Sequence, residues 1–484
     1  MNASKGSVFS NLIWRLAERV GAKAVEFVVS IVLARLLLPE DYGTIALITV
    51  FITILQVFID NGIGNSLIQK KDADSIDFST VFYFNLCFCA VLYLILFFGA
   101  PLISDFYSDA NMAIYVRVLG ITILISSVKN IEQAYVSRHL QFKKFFFATL
   151  FGTVGAAIIG IYMAYHGYGV WSLIFQQLFN AALDTIILWI IVPWRPTLQF
   201  SFIRLKAHIS YGWKILVSSL LDTVYTNIRQ LIIGKMYTSS DLAFYNRGRQ
   251  FPSFIVTNIN SSIDSVLFPA MSREQDNIDH IKYMTRWSIK VSTYVMAPLM
   301  MGLAFAAEPI VRLVLTEKWP ECVPYLRIFC ITFMFYPIHT ANLNSIKAIG
   351  RSDVYLKLEI AKKIVGFACL VSTMWFGVMA MAYSMLLISV LSQIINSWPN
   401  RKLLKYSYLE QMKDIIPYIL LSVIMGLIIY FIKFIGLSDL LTVILQVLLG
   451  GIIYWGISMV MKIDAYSFMK NIVKLRVSLH KGKK

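Results

Sequence analysis

From end to end the chain alternates long apolar runs with short polar turns, and that alternation constrains the fold more than any other feature. The stretch LARLLLPEDYG, Leu33 to Gly43, shows it in miniature. One apolar run ends there, Pro39-Glu40-Asp41 turns the chain, and Thr44 to Ile59 begins the next run. Such lengths match helices crossing a hydrocarbon layer roughly 30 Å thick. Hydrophobic residues make up 58% of the 484 and charged ones 15%, with a mean hydropathy of +0.67. A soluble domain of that composition would expose apolar patches far beyond what a monomer tolerates. The chain therefore reads as an all-α polytopic membrane protein. Fourteen spans are expected, centred near residues 25, 54, 89, 125, 155, 181, 222, 256, 299, 334, 364, 388, 424 and 450.

Charge distribution sets the topology. Assigning the connections alternately to two sides places twenty-seven lysines and arginines on one side. The other side has only Lys235, Arg312 and Lys318. The positive-inside rule then puts both termini in the cytoplasm. The net charge of +17 is thus a membrane signature rather than a nucleic-acid one. The basic tail, ending in Lys483 and Lys484, reads as a topology determinant in contact with lipid headgroups. Arg15, Glu18, Arg19, Lys23 and Glu26 interrupt what would be the apolar core of a signal peptide, so the first helix is expected to stay in the mature protein. The five cysteines form no metal-ligand spacing with the six histidines, and no metal or cofactor is expected.

Two stretches suggest an internal repeat. Residues 33–43 fall against 233–243 at a shift of 200, pairing Arg35 with Lys235 and Asp41 with Asp241. YGVWSL (Tyr168 to Leu173) resembles FGVMAM (Phe376 to Met381) at a similar shift. Repeated halves are common in transporters, with the substrate path between them. The expected organisation is a six-helix lobe over 1–194, a basic cytoplasmic linker over 195–208 and a second six-helix lobe over 209–400. Two additional helices over 401–461 and a basic cytoplasmic tail over 462–484 complete it.

With LARLLLPEDYG in the first hairpin, Arg138 to Phe142 after the fourth span and GYGVWSL opening the sixth, the chain resembles the Wzx-type polysaccharide flippases. These are part of the multidrug/oligosaccharidyl-lipid/polysaccharide exporter superfamily. Leu38 departs from the pattern, which often has a small or polar residue before the proline. The resemblance implies two six-helix lobes in a V around a cationic central cavity. It also implies transport of an undecaprenyl-diphosphate-linked oligosaccharide from the cytoplasmic to the outer leaflet of the bacterial inner membrane, for lipopolysaccharide, capsule or exopolysaccharide synthesis. The resemblance further implies membrane lipids, and a polysaccharide polymerase and glycosyltransferases of the same pathway, as expected partners.

Ionisable residues inside apolar spans usually face a protein interior or a watery cavity. In the first span Arg15, Glu18, Arg19, Lys23 and Glu26 share an arc of about 140°. In the seventh, Asp222 and Arg229 lie about 80° and 60° from Lys214. Arg15, Arg19, Lys23, Lys214 and Arg229 are the candidate diphosphate-binding cations, since arginine holds phosphate oxygens bidentately and lysine as a point charge. Glu18, Glu26, Asp222, Arg247, Arg249, Glu359, Lys362 and Lys363 are additional candidate cavity charges. The same charges also fit internal ion pairs or headgroup contacts. Asp60 and Asp184 are candidate coupling carboxylates, with helix capping or helix–helix hydrogen bonding as the alternative. Asp41 and Asp241 are candidate outer-gate residues, with a solvated turn as the alternative.

Two rival functions rank below the flippase. A membrane polymerase or glycosyltransferase would carry a large extramembrane loop with paired carboxylates, and the longest outer loop, Ala307 to Cys322, is short. A phosphate-binding G-x-x-x-x-G-K-[ST] loop is also missing, and the chain reads as a transporter rather than an enzyme. A cation-coupled multidrug exporter of the same superfamily would favour an acidic or apolar cavity and twelve spans.

Overall fold

The computed structural model describes residues 21, 24–60, 64–70, 72–139 and 141–470. Every regular element among them is helical. Helix α1 covers 24–36, followed by α2 (Pro39–Asp60), α3 (Gly64–Gln69), α4 (Ser75–Tyr107), α5 (Met112–Arg138), α6 (Phe142–Tyr165) and α7 (Val170–Ile191). Next come α8 (Phe202–Met236), α9 (Ser239–Arg273), α10 (Ile278–Phe305), α11 (Ala307–Leu315), α12 (Cys322–Met334) and α13 (Tyr336–Ala348). Then come α14 (Ser352–Thr373), α15 (Val378–Ser397), α16 (Asn400–Leu403), α17 (Tyr408–Tyr430), a 3-10 turn (Phe431–Ile435) and α18 (Asp439–Val460), with a further helical stretch over 464–470.

Ten of the described spans are long and apolar enough to cross a membrane, against the fourteen expected. The difference has a physical source. Helices α8, α9 and α14 run 35, 35 and 22 residues, but they carry the charges and amides that lower hydropathy. The first expected span lies partly outside the described residues.

The chain divides into two compact units, 1–243 and 244–484. Helix α8 packs within the first unit against α2, α3 and α4. Aromatic and aliphatic side chains from α4, α5, α6 and α7 build the core of that unit around Phe78, Phe82 and Trp194. Its α6–α7 crossing is close because small residues permit it: a Cβ on Gly160 would lie 2.8 Å from Gln176 Cβ.

The repeat seen in sequence reappears as local conformation. At the start of α2, Asp41 Oδ2 accepts the Leu38 backbone N–H at 3.0 Å. At the start of α9, Asp241 Oδ2 accepts the Thr238 N–H at 3.1 Å. Thr238 Oγ1 in turn accepts the Asp241 N–H at 3.1 Å, completing a reciprocal cap. Leu38 lacks the hydroxyl, so α2 has only half of it. Gly169 and Gly377, which precede α7 and α15, both have positive φ, +51° and +96°, a region that side-chain-bearing residues rarely enter.

In the second unit, Tyr245 and Phe329 meet edge-to-face at 5.2 Å in the core. Helices α17 and α18 pack against α10. Arg286 on α10 holds Asp414 on α17 with two hydrogen bonds, 2.7 and 2.8 Å. Lys290 adds contacts to Asp414 and Asp464 at 3.5 and 3.0 Å. Tyr406 donates to Asp414 at 2.7 Å. Burial, and then the Asp414 carboxylate, hold its phenol well above the usual range, so it remains a donor. Above this polar clamp, Tyr294, Tyr418, Met425 and Tyr454 pack together.

Candidate functional site

The site is built on a break in a span. Residues 322–348 form one apolar span, yet its helix is interrupted at Phe335, where α12 stops and α13 starts with Pro337 in its first turn. Proline has no N–H to donate and disfavours helix in the residue before it. Ser389 on α15 donates to the Thr332 carbonyl at 3.0 Å, supplying a partner beside the break. Tyr336, His339 and Thr340 follow directly and line two adjoining cavities.

The larger cavity, about 450 Å³, lies between α9 and the broken span. Its α9 wall presents Arg249, Ser253, Thr257, Asn260 and Asp264, a spacing that places polar groups on one helical face. The smaller one, about 290 Å³, adds Lys362 from α14 and Ser392 and Asn396 from α15. Asn260, Tyr336 and Thr340 border both.

Hydrogen bonds fix most of these side chains. Thr340 Oγ1 donates to Asn260 Oδ1 at 2.7 Å. Asn344 Nδ2 donates to Asp264 Oδ1 at 2.8 Å, and the Lys347 ammonium is 3.9 Å from the same oxygen. Asn396 and His339 are 3.2 Å apart. Lys362 pairs with Glu359 at 2.6 Å. Arg249 is different: among the described residues it makes no ion pair. A guanidinium in that position favours an anion beside it, because an unpaired charge among membrane helices is costly.

Of the candidate residues, Arg15, Glu18, Arg19 and Lys23 lie outside the described residues. Glu26 is half-buried on α1, Lys214 and Asp222 are exposed on α8, and Arg229 on the same helix is 8% exposed. Arg247, another candidate cavity charge, is buried. It donates to Gln250 Oε1 at 2.6 Å, and its guanidinium lies 5.5 Å from the Trp319 ring. Two residues apart on a helix means 200° of rotation, so Arg247 and Arg249 point to different sides. Lys363 is half-buried on α14 beside Lys362.

The candidate coupling carboxylates make interhelical bonds. Asp60 on α2 accepts from Asn130 on α5 at 3.2 Å. Asp184 on α7 pairs with Lys129 on α5. Asp41 and Asp241 cap their helices as described. Next to them, Gly43 abuts the backbone of Ser239 within the first unit.

Sequence reasoning passed over the neutral groups Ser253, Thr257, Asn260, His339, Asn344 and Asn396, because it searched for charge. The signal was present as a polar stripe at helical spacing along α9. It also missed the cluster at the head of α8, where the Asp77 carboxylate is within reach of Lys70 (2.7 Å), Arg204 (3.2 Å) and His208 (3.2 Å). Among the described residues no group of three or more His, Cys, Asp or Glu could hold a metal ion.

Residues 32–324 match the family described as polysaccharide biosynthesis protein. The chain is 24% identical over 379 residues to the teichuronic acid biosynthesis protein TuaB of Bacillus subtilis, covering 77% of this chain and 78% of the relative. It is 23% identical over 368 residues to the lipopolysaccharide biosynthesis protein WzxC of Escherichia coli, covering 76% and 74%. In fold it is similar to the lipid II flippase MurJ in an inward closed conformation, with a TM-score of 0.76 at 16% identity over 93% of this chain and 99% of that one. An inward-facing multidrug resistance MATE transporter aligns with a TM-score of 0.62 at 15% identity, covering 81% and 98%.

Proposed function

The chain belongs to the polysaccharide biosynthesis protein family, and from that premise we propose that it is a flippase for lipid-linked oligosaccharide. Its substrate is an undecaprenyl-diphosphate-linked repeat unit, carried by alternating access from the cytoplasmic to the outer leaflet of a bacterial inner membrane. Both termini are cytoplasmic in this reading, as the charge asymmetry supports.

The observation that carries the proposal is Arg249. It lines a polar cavity among membrane helices and makes no ion pair among the described residues. A diphosphate supplies the missing charge, and the guanidinium fork matches its oxygens with two parallel hydrogen bonds. The polar character of α8, α9 and α14, the long helices that fall short of the apolar criterion, supports a hydrated path for a sugar head group. Arg15, Arg19, Lys23, Lys214 and Arg229 are further diphosphate-binding candidates in this proposal.

The test is genetic and chemical together. Deleting the gene in the bacterium that carries it should abolish one surface glycan, and lipid-linked repeat units should accumulate on the cytoplasmic leaflet. Re-expression should restore the glycan. An intact set of surface glycans and no accumulated lipid-linked intermediate would contradict the reading.

A further inference from the structure

We infer that the 450 Å³ cavity of the second unit is a sugar-recognition subsite, which holds a pyranose ring of the head group by its hydroxyls. The inference rests on the flippase reading and goes beyond it, from the diphosphate to the glycan.

The volume falls within the roughly 300–1,000 Å³ of small-ligand sites. Beside the guanidinium that takes the diphosphate, its chemistry is that of a polyol site. Apart from Arg249, the polar wall is made of hydroxyls, an amide and one carboxylate. Asp264 Oδ1 accepts from Asn344 at 2.8 Å and has the Lys347 ammonium 3.9 Å away, which leaves Oδ2 to accept from a sugar hydroxyl. Thr340 fixes Asn260 by donating to its Oδ1 at 2.7 Å. With Oδ1 so engaged, the Asn260 NH₂ offers a pair of donors in the cavity wall. The Tyr336 and Phe333 rings form the apolar side, suited to the C–H face of a pyranose.

The donors and acceptors are thus set before any ligand arrives, which is what discrimination between hydroxylated substrates requires. A site built to hydrogen-bond a hydroxyl strongly rejects an analogue that lacks it.

The experiment uses the full chain in lipid nanodiscs and two probes. One is the lipid-linked repeat unit extracted from the deletion strain, and the other is undecaprenyl diphosphate without sugar. The wild-type protein should bind the glycolipid more tightly than the bare lipid. Asn260→Ala should weaken glycolipid binding by about tenfold and leave the bare lipid unchanged. Asp264→Asn, which keeps the side chain's shape, should do the same. Arg249→Ala should weaken both probes. Equal wild-type affinity for the two lipids would overturn the sugar subsite while leaving the flippase reading in place. So would Asn260→Ala and Asp264→Asn proteins that bind the glycolipid like wild type. Failure of the wild-type protein to bind either lipid would overturn both.

Discussion

The carbonyl oxygen of Ser239 lies 1.8 Å from the point a Cβ on Gly43 would occupy. The helix that follows the first hairpin turn therefore touches the start of α9 backbone to backbone, with nothing between them. A backbone carbonyl, unlike the end of a flexible side chain, cannot rotate out of the way. Gly43→Ala should push α2 away from the start of α9. Overpacking of this kind costs about 1–3 kcal/mol. The expected outcome is a lower melting temperature in detergent together with reduced surface glycan. An alanine variant with wild-type stability and transport would mean that the contact opens freely.

The clamp at Asp414 makes a second prediction. Two charged hydrogen bonds from Arg286, one from Tyr406 and the nearby Lys290 all converge on this carboxylate. Asp414→Asn removes the charge while keeping the shape, and should cost about 1.5–3 kcal/mol. Thermal unfolding in detergent should shift down, and limited proteolysis should cleave first between residues 401 and 407. Unchanged melting would show that the apolar contacts of Tyr294, Tyr418 and Tyr454 hold α17 without the clamp.

Topology can be read from thiol labelling. On a background free of the five native cysteines, an impermeant reagent outside the cell should label position 105 or 439 but not 71 or 403. Labelling of position 403 from outside in intact cells would overturn the assignment that the loop charges support.

The adjacent arginines of α9 separate structure from function. Arg247→Ala removes a guanidinium packed 5.5 Å from the Trp319 ring centre and its hydrogen bond to Gln250. It should lower stability and membrane abundance. Arg249→Ala should leave abundance near normal and reduce transport. If both variants lost abundance equally, the different environments of the two side chains would have no functional meaning.

These residues also show what a sequence can and cannot disclose. The membrane class, the helical hairpins and the matched turns at Asp41 and Asp241 were legible because each is a local pattern, governed by apolar length or by a cap of three residues. The split between Arg247 and Arg249 was also legible, since helical rotation alone separates them, but grouping charges by span concealed it. The pairing of Lys129 with Asp184, 55 positions apart on different helices, was not, because tertiary packing decides which polar groups meet. The same holds for the cavity. Asn260 becomes a candidate once Thr340 is seen to fix its amide, and that contact joins residues 80 positions apart.

The central claim is that Arg249 holds the diphosphate during passage, and the most direct measurement is transport itself. Purified wild-type, Arg249→Ala and Arg249→Lys proteins would be reconstituted in vesicles containing the lipid-linked repeat unit, and its appearance in the opposite leaflet followed with time. A charged hydrogen bond worth about 1.5–3 kcal/mol predicts an alanine variant slower by roughly ten- to a hundredfold. Lysine should recover part of the rate, because it restores charge without the bidentate fork. An alanine variant that flips the lipid at the wild-type rate would contradict the account.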